Sequence, residues 1–247
     1  MSGGRIRWRA TATTAGAALV GLAIGATAGF RIVSARAAVP RALDTSPTTT
    51  LVVPRATSTM QIDGELEELA WNDAPARTGP LLHGGEEARP YSDARALWGN
   101  GMLYLALYAA DEDISAPVTA HDQPLWTGDA FQLVFRRDGV ERSIDVSPRG
   151  TVSDGERRAG AASFDARWES RAKVAVDQDG TVDDPSDVDE EWIVEMAIPL
   201  DALGLRGEPG ERIGLDVRRC DRVRGNDGTS HRTCASWGDG YAELELR

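Results

Sequence analysis

Cys220 and Cys234 are the two cysteines of a 247-residue chain, and they flank a polar stretch that carries Arg222, Arg224, Asn226, Asp227, His231 and Arg232. In an oxidising compartment such a pair closes a disulfide that staples the stretch between. His83, His121 and His231 lie far apart, none with a second ligand at metal-site spacing, which argues against zinc. Carboxylates gather in two runs, Asp111-Glu112-Asp113 and the series Asp183, Asp184, Asp187, Asp189, Glu190, Glu191. Both offer the hard oxygen donors that calcium takes, although acidic runs of this kind also read as solvated loops. A glycosidase needs two carboxylates at a set separation, one with a raised pKa, which spacing along the chain does not reveal; no catalytic residues are assigned. Trp126, between Pro124 and Gly128, puts a large ring in a loop. An aromatic ring held there is either folded over the end of a domain or displayed to stack on a ligand.

These residues need a frame. Residues 102–110 alternate Leu103, Leu105, Leu107 with Tyr104, Ala106, Tyr108, the period of a strand with at least one buried face. Gly99-Asn100-Gly101 joins it to a strand over 95–98 through tight-hairpin chemistry. Further short runs fall at 130–136, 142–147, 171–177, 192–198, 212–219 and 241–246, with Gly, Pro and Asp between them. Helical turns are expected only at 65–71 and 200–203. The fold class is all-β, an antiparallel sandwich. Its domain spans 59–247, one sandwich rather than two.

Upstream, residues 38–58 hold Pro40, Pro47, Pro54 and Thr48-Thr49-Thr50, a composition suited to an extended linker. Before it, residues 1–37 begin with Arg5, Arg7 and Arg9 and continue through an uncharged stretch from Ala10 to Phe30. At about 1.5 Å per residue, a helix over that stretch reaches the thickness of a bilayer core. It is either a transmembrane or signal-anchor helix, or a cleaved signal with its site at Ala35-Arg36-Ala37. Both send the folded domain across the membrane, to the periplasm or the cell exterior, with the arginines left in the cytoplasm. Gly21, Gly25 and Gly29 repeat along one helix face, where another helix can approach closely.

Composition closes off one partner class. With 39 acidic against 27 basic side chains the formal net charge is −12, a field that repels nucleic acid.

In chain order, Ile62-Asp63-Gly64-Glu65 leads to Ala70-Trp71; Leu103-Tyr104-Leu105 runs to Asp111; and Trp126-Thr127-Gly128-Asp129 runs into Phe131-Gln132-Leu133. Then follow Trp192-Ile193-Val194-Glu195 with Ile198-Pro199, Ile213-Gly214-Leu215, and Trp237. This ordered set resembles carbohydrate-binding module family 9 and its relatives with a DOMON-like β-sandwich. The resemblance implies non-catalytic sugar binding between two Trp rings, with carboxylate, amide and Arg groups on the hydroxyls, and structural calcium in some members. By position it makes Trp126, Gln132, Ser143 and Trp237 the candidate ligand-binding residues and Asp111 and Asp113 the candidate calcium ligands. Gln132 stands where family members carry Glu, Ser143 where they carry Arg, and the second clamp ring is missing after Trp237, with Trp98 or Trp168 as substitutes.

Two functions follow. One is a membrane-tethered carbohydrate-binding module. The other is an accessory subunit of a membrane complex, its helix packed among other helices and its sandwich docked on protein subunits.

Overall fold

The computed structural model of the chain describes residues 49–224, 229–238 and 240–247. The N-terminal stretch with Gly21, Gly25 and Gly29 lies outside the described residues. No described helix is long and apolar enough to cross a membrane.

Among the described residues there are fourteen strands and one short helix. They are β1 (Thr50–Val53), α1 (Leu69–Asp73), β2 (Ala76–Arg77), β3 (Leu82–His83), β4 (Glu86–Glu87), β5 (Ser92–Gly99) and β6 (Met102–Ala110). There follow β7 (Ala130–Arg137), β8 (Val140–Val146), β9 (Val152–Arg158), β10 (Lys173–Asp179), β11 (Glu191–Pro199), β12 (Arg212–Arg224), β13 (Ser230–Ser236) and β14 (Ala242–Leu246). A nine-stranded sheet runs β4-β3-β13-β12-β7-β8-β9, with β14 on β12 and β1 on β14. A five-stranded sheet runs β10-β11-β6-β5-β2. The pairings between these strands are antiparallel except for β1 against β14, and Arg55 makes a parallel bridge to Trp98.

The core lies between the sheets, where Leu103, Leu105 and Leu107 meet Phe131, Leu133, Phe135 and Trp192. Phe131 and Trp192 face each other across the gap with ring centroids 5.0 Å apart, a tilted contact that suits aromatic quadrupoles. In β6 the intervening Tyr104, Ala106 and Tyr108 are buried as well. The outer face of the small sheet is covered by the segment that carries Trp71, whose indole reaches Glu195 on β11.

Three expectations are corrected. Residues 50–53 fall inside the expected linker but form β1, paired with the last strand in register from Thr50↔Glu243 to Val53↔Leu246. Val53 is fully buried and Leu51 packs on the core, so the sandwich begins upstream of Thr59. Residues 152–158 and 230–236 form strands although their polar composition hides the alternation; in β13 the buried side chain is Ala235 alone. The first helical turn sits later than expected, at Leu69–Asp73, while residues 200–203 form hydrogen-bonded turns.

Candidate ligand-binding site

Side chains of β7 alternate between the core and the outer face of the large sheet, so Phe131, Leu133 and Phe135 point in and Gln132 points out. Cross-strand register then sets Gln132 beside Asp145 on β8 and Arg218 on β12, with Ser143 two pairs further along, opposite Val134. The amide Nε2 of Gln132 donates to Asp145 Oδ2 at 3.0 Å, and Ser143 Oγ donates to Asp145 Oδ1 at 3.1 Å. Burial pushes the Asp145 pKa up, against the pull of these two hydrogen bonds and of the Arg232 charge. Arg232 stands on β13, opposite Arg222. Amide, carboxylate and guanidinium therefore share one face, a donor and acceptor set suited to neutral hydroxyl groups.

At the end of this face the chain makes a turn in which Gly128 N–H donates to the Leu125 carbonyl at 3.2 Å. Trp126 in that turn is 63% exposed. A Cβ at Gly128 would lie 2.5 Å from the Ser115 carbonyl oxygen, so only glycine allows the close approach. Asp129 locks the turn, its oxygens accepting the N–H groups of Ser115 and Arg222, each at 2.6 Å. Arg222 also donates from Nη1 to the Thr127 carbonyl at 3.1 Å, which ties the turn to β12. Beside it a cavity of about 210 Å³ is lined by Asp113, Ser115, Arg222, Arg224 and Ser230.

Of the residues the sequence singles out, Gln132 and Ser143 meet on Asp145, and Trp126 stands exposed. Trp237 does not join them: it is 9% exposed and part of the core, because its place before β14 turns it inward against Val217, whose carbonyl accepts its N–H. Trp98 is buried, with its indole N–H on the Arg247 carbonyl, and Trp168 packs against the core. Neither stands as a second exposed ring. Asp145 and Arg232, absent from the sequence-based set, bring the acid and guanidinium that Gln132 and Ser143 lack.

The expected calcium ligands, Asp111 and Asp113, are both engaged by guanidinium groups. Asp111 is buried and its Oδ2 accepts from Arg219 at 2.7 Å and from the Trp192 indole at 3.1 Å, while Oδ1 takes the Asp113 N–H. Asp113 pairs with Arg224 at 3.2 Å. The buried carboxylates near Asp111 are Asp129 and Asp221, and Arg219 also reaches Asp221 at 2.8 Å. One guanidinium thus faces three buried carboxylates, which bring an oxygen each within 4.8 Å of one another. Cys220 and Cys234 form the expected disulfide, directly opposite each other on β12 and β13.

The sequence profile described as "Carbohydrate family 9 binding domain-like" matches residues 62–242. Among solved structures, a candidate carbohydrate-binding protein from Bacteroides uniformis superposes with TM-score 0.61 at 13% identity, covering 81% of this chain and 99% of that one. A family 9 carbohydrate-binding module from Caldicellulosiruptor kristjanssonii in complex with cellotriose gives TM-score 0.53 at 12% identity, over 81% and 94% of the two chains. The glucose complex of a family 9 module from that organism gives 0.53 at 12% identity, over 79% and 95%. A search of curated proteins found no match. At these identities the structural likeness speaks for the fold.

Proposed function

Since the chain belongs to the carbohydrate family 9 binding domain-like family, we propose that it is a non-catalytic module that binds carbohydrate on the outer face of its nine-stranded sheet. The observation that carries this reading is Trp126, 63% exposed on a turn that Asp129 and Arg222 anchor just ahead of β7, the strand that carries Gln132. An apolar ring held in water has a reason to be there if it stacks on the C–H face of a pyranose. Gln132, Asp145 and Arg232 then meet the hydroxyls, replacing hydrogen bonds that the sugar gives up from water. With one ring in place of a clamp, affinity near millimolar is expected, about 4 kcal/mol. The module is exported and held at the membrane by residues 1–37, a reading that rests on the uncharged stretch from Ala10 to Phe30 behind three arginines. Calorimetry of the full-length chain against glucose, cello-oligosaccharides and a panel of other saccharides tests the function. Heat of binding with at least one sugar is expected, and none with any would overturn it.

A further inference from the structure

A second cluster of chemistry-bearing side chains lies at the start of β9, apart from the face described above. Two loops meet there. The loop before β7 docks through Asp122, whose N–H donates to the Val152 carbonyl at 3.1 Å and whose Oδ1 accepts the Asp154 N–H at 3.4 Å. The segment after β9 returns to the same strand, and Ser170 donates its N–H to Asp154 Oδ2 at 2.9 Å. His121 Nε2 consequently lies 3.3 Å from Glu169 Oε2 and 3.4 Å from Asp122 Oδ1. One donor atom from each of the three falls within 4.8 Å of the others.

What separates this from an ordinary surface ion pair is Asp154. It is 6% exposed, and its Oδ1 is buried with no hydrogen-bond partner, a state that costs about 1–3 kcal/mol for a buried acceptor and more for a charged one. Among the described residues no guanidinium pairs with Asp122, Asp154 or Glu169. The basic group they share is the His121 ring: burial lowers its pKa, but the Glu169 hydrogen bond and the charges of Asp122, Glu169 and Asp154 outweigh that and raise it.

We propose that His121, Asp122 and Glu169, backed by the unpartnered carboxylate of Asp154, form a binding site for a divalent transition-metal cation of the zinc class. An imidazole nitrogen with carboxylate oxygens is a donor set that suits zinc, whereas calcium seeks six or more oxygens. The site escapes a reading by spacing because Glu169 comes from a separate loop. Metal and proton compete for the same ring nitrogen, so binding weakens as pH falls.

The test uses the untagged full-length chain, stripped with chelator and titrated with zinc chloride and with calcium chloride at about pH 7.5 and about pH 6. One zinc per chain is expected, weaker at the lower pH, with no calcium heat. His121→Ala, at an exposed position, should fold normally and lose the zinc; Asp154→Asn should weaken it roughly 10- to 100-fold. Should Asp154→Asn not fold, Glu169→Gln takes its place with the same expected loss. Zinc binding unchanged in His121→Ala, an equal response to calcium, or no response to zinc would each overturn the proposal.

Discussion

The indole N–H of Trp71 donates to Glu195 Oε1 at 2.9 Å, joining residues 124 positions apart. Glu195 Oε2 accepts the N–H groups of Asp63 at 3.0 Å and Gly64 at 3.1 Å. One fully buried carboxylate thus anchors the covering segment to β11. Gly64 has φ +97° and lies so close to β10 that a Cβ would sit 3.0 Å from the Asp177 nitrogen, so the turn accepts no side chain. Two stretches that resemble the family's motifs, far apart in sequence, are the two ends of one contact.

Removing that anchor leaves the indole and two backbone donors without an acceptor, at about 1–3 kcal/mol for each buried group left unpaired. Glu195→Ala is therefore expected to cost about 3–5 kcal/mol in urea unfolding. A loss below about 1 kcal/mol would mean that water replaces the carboxylate without penalty.

Arg219 is 3% exposed and holds Asp111 and Asp221 together. Truncating it strands buried carboxylates, which typically costs about 3–5 kcal/mol. Arg219→Met should lower the melting temperature markedly, while millimolar calcium should leave the unmutated chain's melting temperature unchanged. A calcium-stabilised unmutated chain would show that the guanidinium does not satisfy the cluster.

Asp129 gives the fold a pH dependence. Burial, and then the charge of Asp111, push its pKa up to about 8, against the pull of its backbone donors and Arg219. The folded state thus holds a proton that the unfolded chain, with an ordinary aspartate, releases near pH 4. This contribution to stability is complete below about pH 4 and is lost as pH rises toward 8. Denaturation midpoints should fall between about pH 5 and pH 9, and Asp129→Asn should flatten the fall even if it lowers the midpoint throughout. A slope unaltered in that variant would assign the effect to other carboxylates.

The Cys220–Cys234 bond closes a loop with a sequence separation of 14. Chain entropy puts its worth at about 3 kcal/mol for a loop of this size. Reduction under native buffer should shift the urea midpoint accordingly; an unmoved midpoint would show that the β12–β13 ladder suffices.

Much of this frame is legible in the residues, and the gaps have physical causes. Strands β6 and β11 announce themselves because their apolar side chains alternate, as do Leu103, Leu105 and Leu107. β13 does not, since all but Ala235 of its side chains sit outside the core, and β1 is hidden among Pro and Thr. The site is split in the same way. Trp126 and Gln132 can be found by motif, whereas Asp145 joins them only through register. A signal for it exists: Asp138-Gly139, with φ +51° and +75°, is a two-residue hairpin turn, and pairing counted outward from it sets Gln132 opposite Asp145. Arg232 has no such local signal, because its position depends on β13 adding to β12. The inward turn of Trp237 is likewise a matter of tertiary packing.

The sugar-binding reading makes different demands on three side chains. Trp126 is exposed and contributes little to the core, so Trp126→Ala should leave the melting temperature in place while removing about 1–3 kcal/mol of binding, the scale of losing an aromatic contact face. Arg232→Ala should weaken binding with little loss of fold, since the side chain is exposed and its loss leaves Asp145 held by Gln132 and Ser143. Asp145→Asn is the sharper test. An amide there keeps the shape and can still accept from Gln132 while donating to the Ser143 hydroxyl, but it lacks the carboxylate's charge. Affinity should fall by about tenfold or more, the loss of one charge-assisted hydrogen bond at about 1.5–3 kcal/mol. Calorimetry with the best sugar of the panel, alongside melting curves, separates the outcomes. If Trp126→Ala loses stability while all three variants bind as the unmutated chain does, the ring belongs to the fold and the ligand sits elsewhere.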